Sequence, residues 1–148
     1  MARLRRILFA SDFSKASGKA LATAVMMART NRATLMVLHV IAPYAPVSPD
    51  QYIGPDTWRD IDREARRWTS RKLAAIIAKA GKQGVKAVGL TADGNAALQI
   101  VRVAKSKRVD LVIIGTHGRT GLAKFFLGSV AGRVVSTAPC PVMTVRGS

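Results

Sequence analysis

Short apolar runs alternate along the chain with longer stretches in which apolar residues recur every three or four positions. Residues 5–10 contain Ile7-Leu8-Phe9-Ala10 and stop at Ser11-Asp12; residues 33–41 read Ala-Thr-Leu-Met-Val-Leu-His-Val-Ile. Both predict buried strands, because a strand covered on two faces reads as a continuous apolar run. Residues 84–91, 109–114 (Val-Asp-Leu-Val-Ile-Ile) and Val142–Val145 complete the set. Between them the period lengthens. Ser14 is placed to cap a helix running to about residue 30, with Leu21, Ala24, Val25 and Ala28 on one face. The four prolines at 43, 46, 49 and 55 mark residues 42–55 as a loop. Asp56 then opens a long helix to about Gly81, its apolar face stepping through Trp58, Ile61, Ala65, Trp68, Leu73 and Ile76. Gly94-Asn95 open a third helix with Leu98, Val101 and Ala104 facing inward, and residues 129–137 suit a fourth.

The order is β-α-β-α-β-α-β-α-β, without repeat, linker or low-complexity segment. Such alternation predicts an α/β fold, an open parallel sheet with helices on both faces. Ligands of these folds bind at the carboxyl ends of the strands, where the strand order reverses. The first strand ends at Asp12 and the fourth at Gly115. If the two strands are neighbours, their ends form one crevice.

Composition narrows this picture. A chain of 148 residues suits a single domain, 1–148, with one core. Aromatic residues are only 5% of it, so Ala, Val, Leu and Ile must fill the core, as in a sheet covered by helices. No apolar run approaches a membrane span, and Ile7–Ala10 is too short for a signal-peptide core, so a cytoplasmic protein is expected. The lone Cys140 excludes an internal disulfide. The formal charge of +16 favours anionic partners. The basic residues are nevertheless spread along the whole chain, with no interleaved aromatics to stack bases. A solvated basic surface is therefore the simpler reading, and specific nucleic-acid binding is not expected.

The segment after the fourth strand carries the chemistry: Gly115-Thr-His-Gly118-Arg-Thr-Gly121, then Gly128-Ser129-Val130. Glycine lets backbone approach a ligand closely or adopt positive φ. Gly128-Ser129 stand where a helix begins, and a helix N-terminus offers unpaired amides and a positive dipole end to phosphate. The Ser129 hydroxyl adds a donor; Arg119 or Lys124 adds a charge. This spacing favours phosphate binding over a connection that merely turns the chain. It is neither a Walker loop, for want of Gly-Lys-Ser/Thr, nor the dinucleotide fingerprint.

Gly115, Gly118, Gly128 and Ser129 fill the four fixed positions of G-x2-G-x9-G-[S/T], and in this the chain resembles the universal stress protein family. Ile7–Ser14, Leu38-His39-Val40, Val109–Gly115 and Ala138-Pro139-Cys140-Pro141-Val142 are also similar to that family, in order, over essentially the whole chain. The resemblance implies a Rossmann-like five-stranded parallel sheet in the order 3-2-1-4-5. Because the glycine motif is complete, it implies the ATP-binding branch, a stress-response or regulatory module holding ATP, with or without Mg2+. Ala10, Ser11, Asp12 and Val40 would face the adenosine, with Ile114 at the base. Gly115, Gly118, Gly128, Ser129 and Val130 would hold ribose and phosphates. Many relatives have a proline or other residues before the aspartate, and this chain departs from them at Ala10-Ser11. The resemblance also implies a homodimer through strand 142–145; the alternative is a plain sheet edge guarded by Pro141 and Arg146.

Single residues carry competing readings. Asp12 suits a ribose or base contact but is also a common helix cap, a task Ser14 already fits. His117 could touch phosphate or be incidental; His39 reads as a satisfied structural histidine. Cys140 reads as a packed small hydrophobe, and Trp58 and Trp68 as core residues. Of eight acids, only Asp12 and, less directly, Asp93 can reach the crevice, since Asp110 starts its strand at the other end. No carboxylate pair is available for a metal or a general base, so slow hydrolysis is the most that is expected. Two alternatives remain: a nucleotide-independent module acting through its basic surface, and a weak ATPase.

Overall fold

The computed structural model describes residues 3–43, 50, 52–117 and 127–147. Its elements are β1 (Arg6–Ala10), α1 (Ser17–Asn31), β2 (Thr34–Ile41), α2 (Pro55–Lys82), β3 (Ala87–Asp93), α3 (Ala96–Ser106), β4 (Leu111–Gly115), α4 (Ser129–Thr137) and β5 (Val142–Val145). The five strands form one sheet in the order β3-β2-β1-β4-β5, every pair parallel. This is the predicted Rossmann-like α/β fold.

Alternation along each strand divides the core into two layers. Ile7, Phe9, Leu35, Val37 and Ile113 face α1 and α2, meeting Ala20, Ala24, Ala28, Leu73 and Ala80. Leu8, Leu38, Val112 and Ile114 face α3 and α4, meeting Ala97, Ile100, Ala104, Ala131 and Val134. The facing helices present mainly alanine and valine, and their small side chains let helix backbone lie close to the sheet. β1 and β4 sit at the centre with both faces covered, which is why they read as unbroken apolar runs.

Several boundaries shift for local reasons. The first helix starts at Ser17, three residues beyond Ser14. Phe13 takes the left-handed region (φ 60°), and Ser14 Oγ and O accept bonds from Ser17 N and Oγ in a turn that precedes the helix. Pro55 belongs to α2 rather than the loop, at the first helical position, where its missing N–H costs nothing; Gly54, not Asp56, is the cap. β3 begins at Ala87 rather than 84, because Val85 N is spent on Ala80 O in closing α2. In α3 the Asn95 side chain caps as expected, accepting from Leu98 N at 3.0 Å. Its inward face is Ala97, Ile100 and Ala104, while Leu98 is 63% exposed. The apolar residues of that helix are dense enough to fit either phase. The tryptophans are not core residues: Trp58 is half-buried, and Trp68 stands edge-on to Phe13, 36% exposed.

The opposite end of the sheet from the crevice is tied by Asp110. Its Oδ2 accepts from Arg5 N at 2.8 Å and Arg6 N at 2.9 Å, joining the starts of β1 and β4. These two amides, Arg5's first, hold the carboxyl below the usual aspartate range. A carboxylate whose pKa is lowered on folding stabilises the fold above its unfolded value, and that contribution is lost as pH falls through the lowered native value. Asp110→Ala is expected to cost about 1 kcal/mol at pH 7, discounted for the partial exposure of the site. The gap in melting temperature between the two proteins should begin to narrow as pH falls below the ordinary aspartate pKa of about 3.9 and close only below the lowered native value. A gap independent of pH would show that the carboxylate is not the stabilising group.

Candidate functional site

The crevice begins where two central strands part. β1 and β4 pair as far as Ala10 beside Ile114. Beyond that point Ser11 N bonds Leu38 O of β2 at 2.9 Å, and Thr116 N bonds Val145 O of β5 at 2.9 Å. Each strand follows its outer neighbour, and a gap opens between them. The chain leaves β1 for α1 on one face, and α4, the helix after β4, lies on the other.

The β1 side of the gap is a turn made by two short side chains. Ser11 Oγ accepts from Phe13 N at 3.0 Å, and Asp12 Oδ1 accepts from Ser14 N at 2.9 Å. Ser and Asp favour such turns because their oxygens reach the backbone two residues on. His39 braces the turn from β2. Its Nδ1 donates to Ser11 O at 2.8 Å, which fixes the proton on Nδ1, and its ring stacks on Phe13 with centroids 4.3 Å apart. The expectation of a satisfied structural histidine is met.

On the β4 side, Gly128 clasps the strand end. Its N–H donates to Thr116 O at 2.7 Å, and a side-chain carbon at 128 would stand 2.8 Å from the same oxygen. Its φ is −58°, so glycine is needed here for close approach and not for a left-handed backbone. Gly115 is less constrained, since a methyl there would meet only ordinary contacts. The clasp aims the start of α4 into the gap. Gly132 N is bonded to Gly128 O at 2.8 Å, so the amides of Ser129, Val130 and Ala131 precede the first intrahelical bond and have no partner within the helix.

Together these walls enclose a cavity of about 370 Å³. Its floor is apolar, made by Leu38, Val40, Ile100 and Ile114; Ser11 and Asp12 face Ser129 and the α4 N-terminus across it. That mixture, and that volume, are typical of small-molecule sites. Of the residues expected from sequence, Ala10, Ser11, Asp12, Val40, Ile114, Gly115, Gly128, Ser129 and Val130 all line the cavity. Gly118 and Arg119, with Lys124, lie outside the described residues.

The sequence reading missed Ala96 and Ile100, which the crossover through α3 brings to the wall, and Ser17 at the start of α1. It also undervalued His117. This side chain lines the cavity with Nδ1 3.0 Å from Thr116 Oγ1, while its buried Nε2 has no partner among the described residues. Asp93, the last residue of β3, does not line the cavity and is turned to Arg66 at 2.8 Å. Asp12 is then the one acid lining the cavity among the described residues. None of these residues forms a group of three or more His, Cys, Asp or Glu able to hold a metal. Cys140 lies below, half-buried, and burial raises its thiol pKa, with the charge of Asp110 adding to the effect. Such a thiol is a poor nucleophile. No helix among the described residues is long and apolar enough to cross a membrane.

Known proteins place this geometry in context. The profile of the universal stress protein family matches residues 3–146. Universal stress protein YxiE of Bacillus subtilis is 33% identical over 145 residues, which cover 95% of this chain and 98% of that protein. The structure of universal stress protein UspA from Lactobacillus plantarum superposes with a TM-score of 0.83 at 26% identity, covering 99% of this chain and 100% of that one. A universal stress protein family member from Arabidopsis thaliana, solved with AMP bound, shares the fold with a TM-score of 0.70 at 21% identity, covering 97% of this chain and 92% of that one. The chain belongs to the universal stress protein family.

Proposed function

We propose that this protein binds an adenine nucleotide, specifically ATP, and acts by occupancy as a member of the family's ATP-binding branch. The observation that carries this is the pairing of an apolar floor with an amide-rich helix N-terminus across one crevice. Adenine is a flat, weakly polar ring suited to the surface of Leu38, Val40, Ile100 and Ile114. Phosphate is suited to the amides of Ser129, Val130 and Ala131, where the helix dipole adds favourable charge. Asp12 is placed to accept from ribose hydroxyls. His117 supports the same reading, because Nδ1 can accept from the Thr116 hydroxyl and leave a proton on the unpartnered Nε2 for an anionic oxygen. Gly118 and Arg119 would complete the phosphate end. The Arabidopsis relative with AMP bound lends weight to adenine as the base.

The same inventory argues against efficient turnover. Phosphoryl transfer needs a held metal and an oriented nucleophile. With Asp12 as the single acid lining the cavity among the described residues, any Mg2+ would be held chiefly by the phosphates. ATP occupancy would therefore bias a conformational or partner equilibrium. We further read residues 1–148 as one cytoplasmic domain, dimerising through β5.

Thermal melting tests the site directly. ATP at a hundredfold its Kd should add about 2.7 kcal/mol, a rise of roughly 5–10 °C for a chain of this size. Ser129→Ala is expected to weaken ATP binding about tenfold, the worth of one hydrogen bond to a charged group, with little effect on the unliganded protein. An unchanged ATP shift in this variant would remove the phosphate end of the proposal. Gly128→Val should behave differently: its side chain collides with the Thr116 carbonyl, so it should abolish the shift and also lower the melting temperature without nucleotide. Phosphate release, followed over hours with Mg2+ present, is expected to stay near the uncatalysed rate. Steady turnover abolished by Asp12→Ala would favour the weak ATPase instead.

A further inference from the structure

The basic residues are scattered in sequence but not in space. A parallel α/β fold brings strand N-termini and helix C-termini to one end of the molecule, opposite the crevice. Arg3, Arg5 and Arg6 lead into β1, and Arg29 and Arg32 close α1. Lys79 and Lys82 end α2, and Lys86 precedes β3. Lys105, Lys107 and Arg108 finish α3 and approach β4. All eleven are exposed. Hydrogen bonds fix them as neighbours: the adjacent Thr34 N and Leu35 N donate to Arg5 O and Lys86 O, each at 2.9 Å, and the Arg6 guanidinium donates to Lys107 O at 3.1 Å.

The simpler explanation is helix-end compensation, and its magnitude is insufficient. Each helix C-terminus carries the equivalent of about half a negative charge. Three such ends and Asp110 leave roughly eight of the eleven cations unbalanced. Nor are they neutralised by ion pairs. Among the described residues, the recorded pairs engage Arg59, Arg63, Arg66 and Arg71 on the outer part of α2 and none of the eleven. The ion-paired cations lie on α2; of the cations without an ion pair among the described residues, these eleven share the base, while Lys15, Lys19, Arg67, Lys72, Arg102, Arg133 and Arg146 are dispersed elsewhere.

We infer that this basic end is a docking surface for the phosphate backbone of duplex nucleic acid, bound without reading its sequence. Four strands about 4.8 Å apart span roughly 14 Å across the sheet, and a helix layer about 10 Å thick on each face gives this end a depth of some 30 Å in the other direction. A duplex presents one phosphate charge per 1.7 Å of axis, so about 18 over that length. The chemistry also selects among polyanions. Single strands are held by aromatic stacking, and neither of the exposed aromatics among the described residues, Tyr52 and Trp68, lies at these helix ends or strand starts. Peripheral membrane binding draws on inserted apolar side chains; of the exposed large ones among the described residues, Tyr52, Leu98, Leu127 and Val130 lie at or before helix starts, toward the crevice, and those nearest the basic end are the short Val88 and Val135. A duplex backbone requires only charge at suitable spacing. The surface lies across the molecule from the nucleotide crevice, and the inference stands whether or not that crevice holds ATP.

The test is fluorescence anisotropy of a labelled mixed-sequence duplex of about 25 base pairs, titrated at several salt concentrations. Wild-type affinity should fall steeply with salt, with a log–log slope of about −4 to −7. Replacing Lys79, Lys82, Lys105 and Lys107 by Gln should weaken binding at least tenfold near 0.1 M salt and flatten the slope by about 3 to 4. A control removes the same charge from the outer face of α2, with Gln at Arg59, Arg63, Arg67 and Arg71, three of them ion-paired; it should keep the slope within about one of wild type. Both variants are first required to melt as wild type does, with and without ATP, which separates this surface from the crevice. Equal losses in the two variants would overturn the inference, since total charge alone would then explain binding. So would a wild-type affinity indifferent to salt, or binding to phosphatidylserine-containing vesicles in preference to the duplex.

Discussion

β1 and β4 pair for four residues and then separate, each drawn to a different outer neighbour. Burial forces the pairing, because both strands are apolar on both faces and lie where α1, α2, α3 and α4 can cover them. The separation follows from the winding of the chain, which leaves β1 for one face and reaches the other from β4. Without the first there is no core; without the second there is no cavity. The turn at Ser11–Ser14, the Gly128 clasp and the start of α4 are placed by that divergence.

Much of this was readable from residue order. Unbroken apolar runs at residues 5–10 and 109–114 are what centrally buried parallel strands require, and they located both walls of the crevice. The glycine spacing then pointed to the start of α4. What stayed hidden was of two kinds. Helix phase in α3 was ambiguous because Leu98, Val101 and Ala104 repeat as convincingly as Ala97, Ile100 and Ala104, and only packing against Leu8 and Val112 decides between them. The contributions of Ile100, Ala96 and Ser17 to the cavity come from crossovers that bring helix starts to the sheet's upper edge, and no local pattern records that. Gly128 was identified as important for a different reason from the structural one: it is held by the proximity of a carbonyl, not by backbone freedom.

Charge shows the same gap between order and space. Lysines and arginines distributed over more than a hundred positions looked like general solubilisation. Every βαβ unit returns the chain to the same end before the next strand begins, so modest basic preferences at successive helix ends accumulate on one surface. The crevice end, by contrast, gathers the unpaired amides of α4 and the side chains of Ser11, Asp12 and Ser129 around a cavity. The fold thus gives the molecule two chemically different ends.

The bond between Gly128 N and Thr116 O has an evolutionary corollary. It closes the excursion of residues 117–127 at its base, so the strand before and the helix after are held in register by their own contact. Loop-closure entropy grows only logarithmically, about 0.6 kcal/mol for a doubling of length. A change of length between those two anchors should therefore spare β4 and α4 while breaking the G-x2-G-x9-G-[S/T] spacing, so relatives that keep that spacing keep it for the site and not for the scaffold.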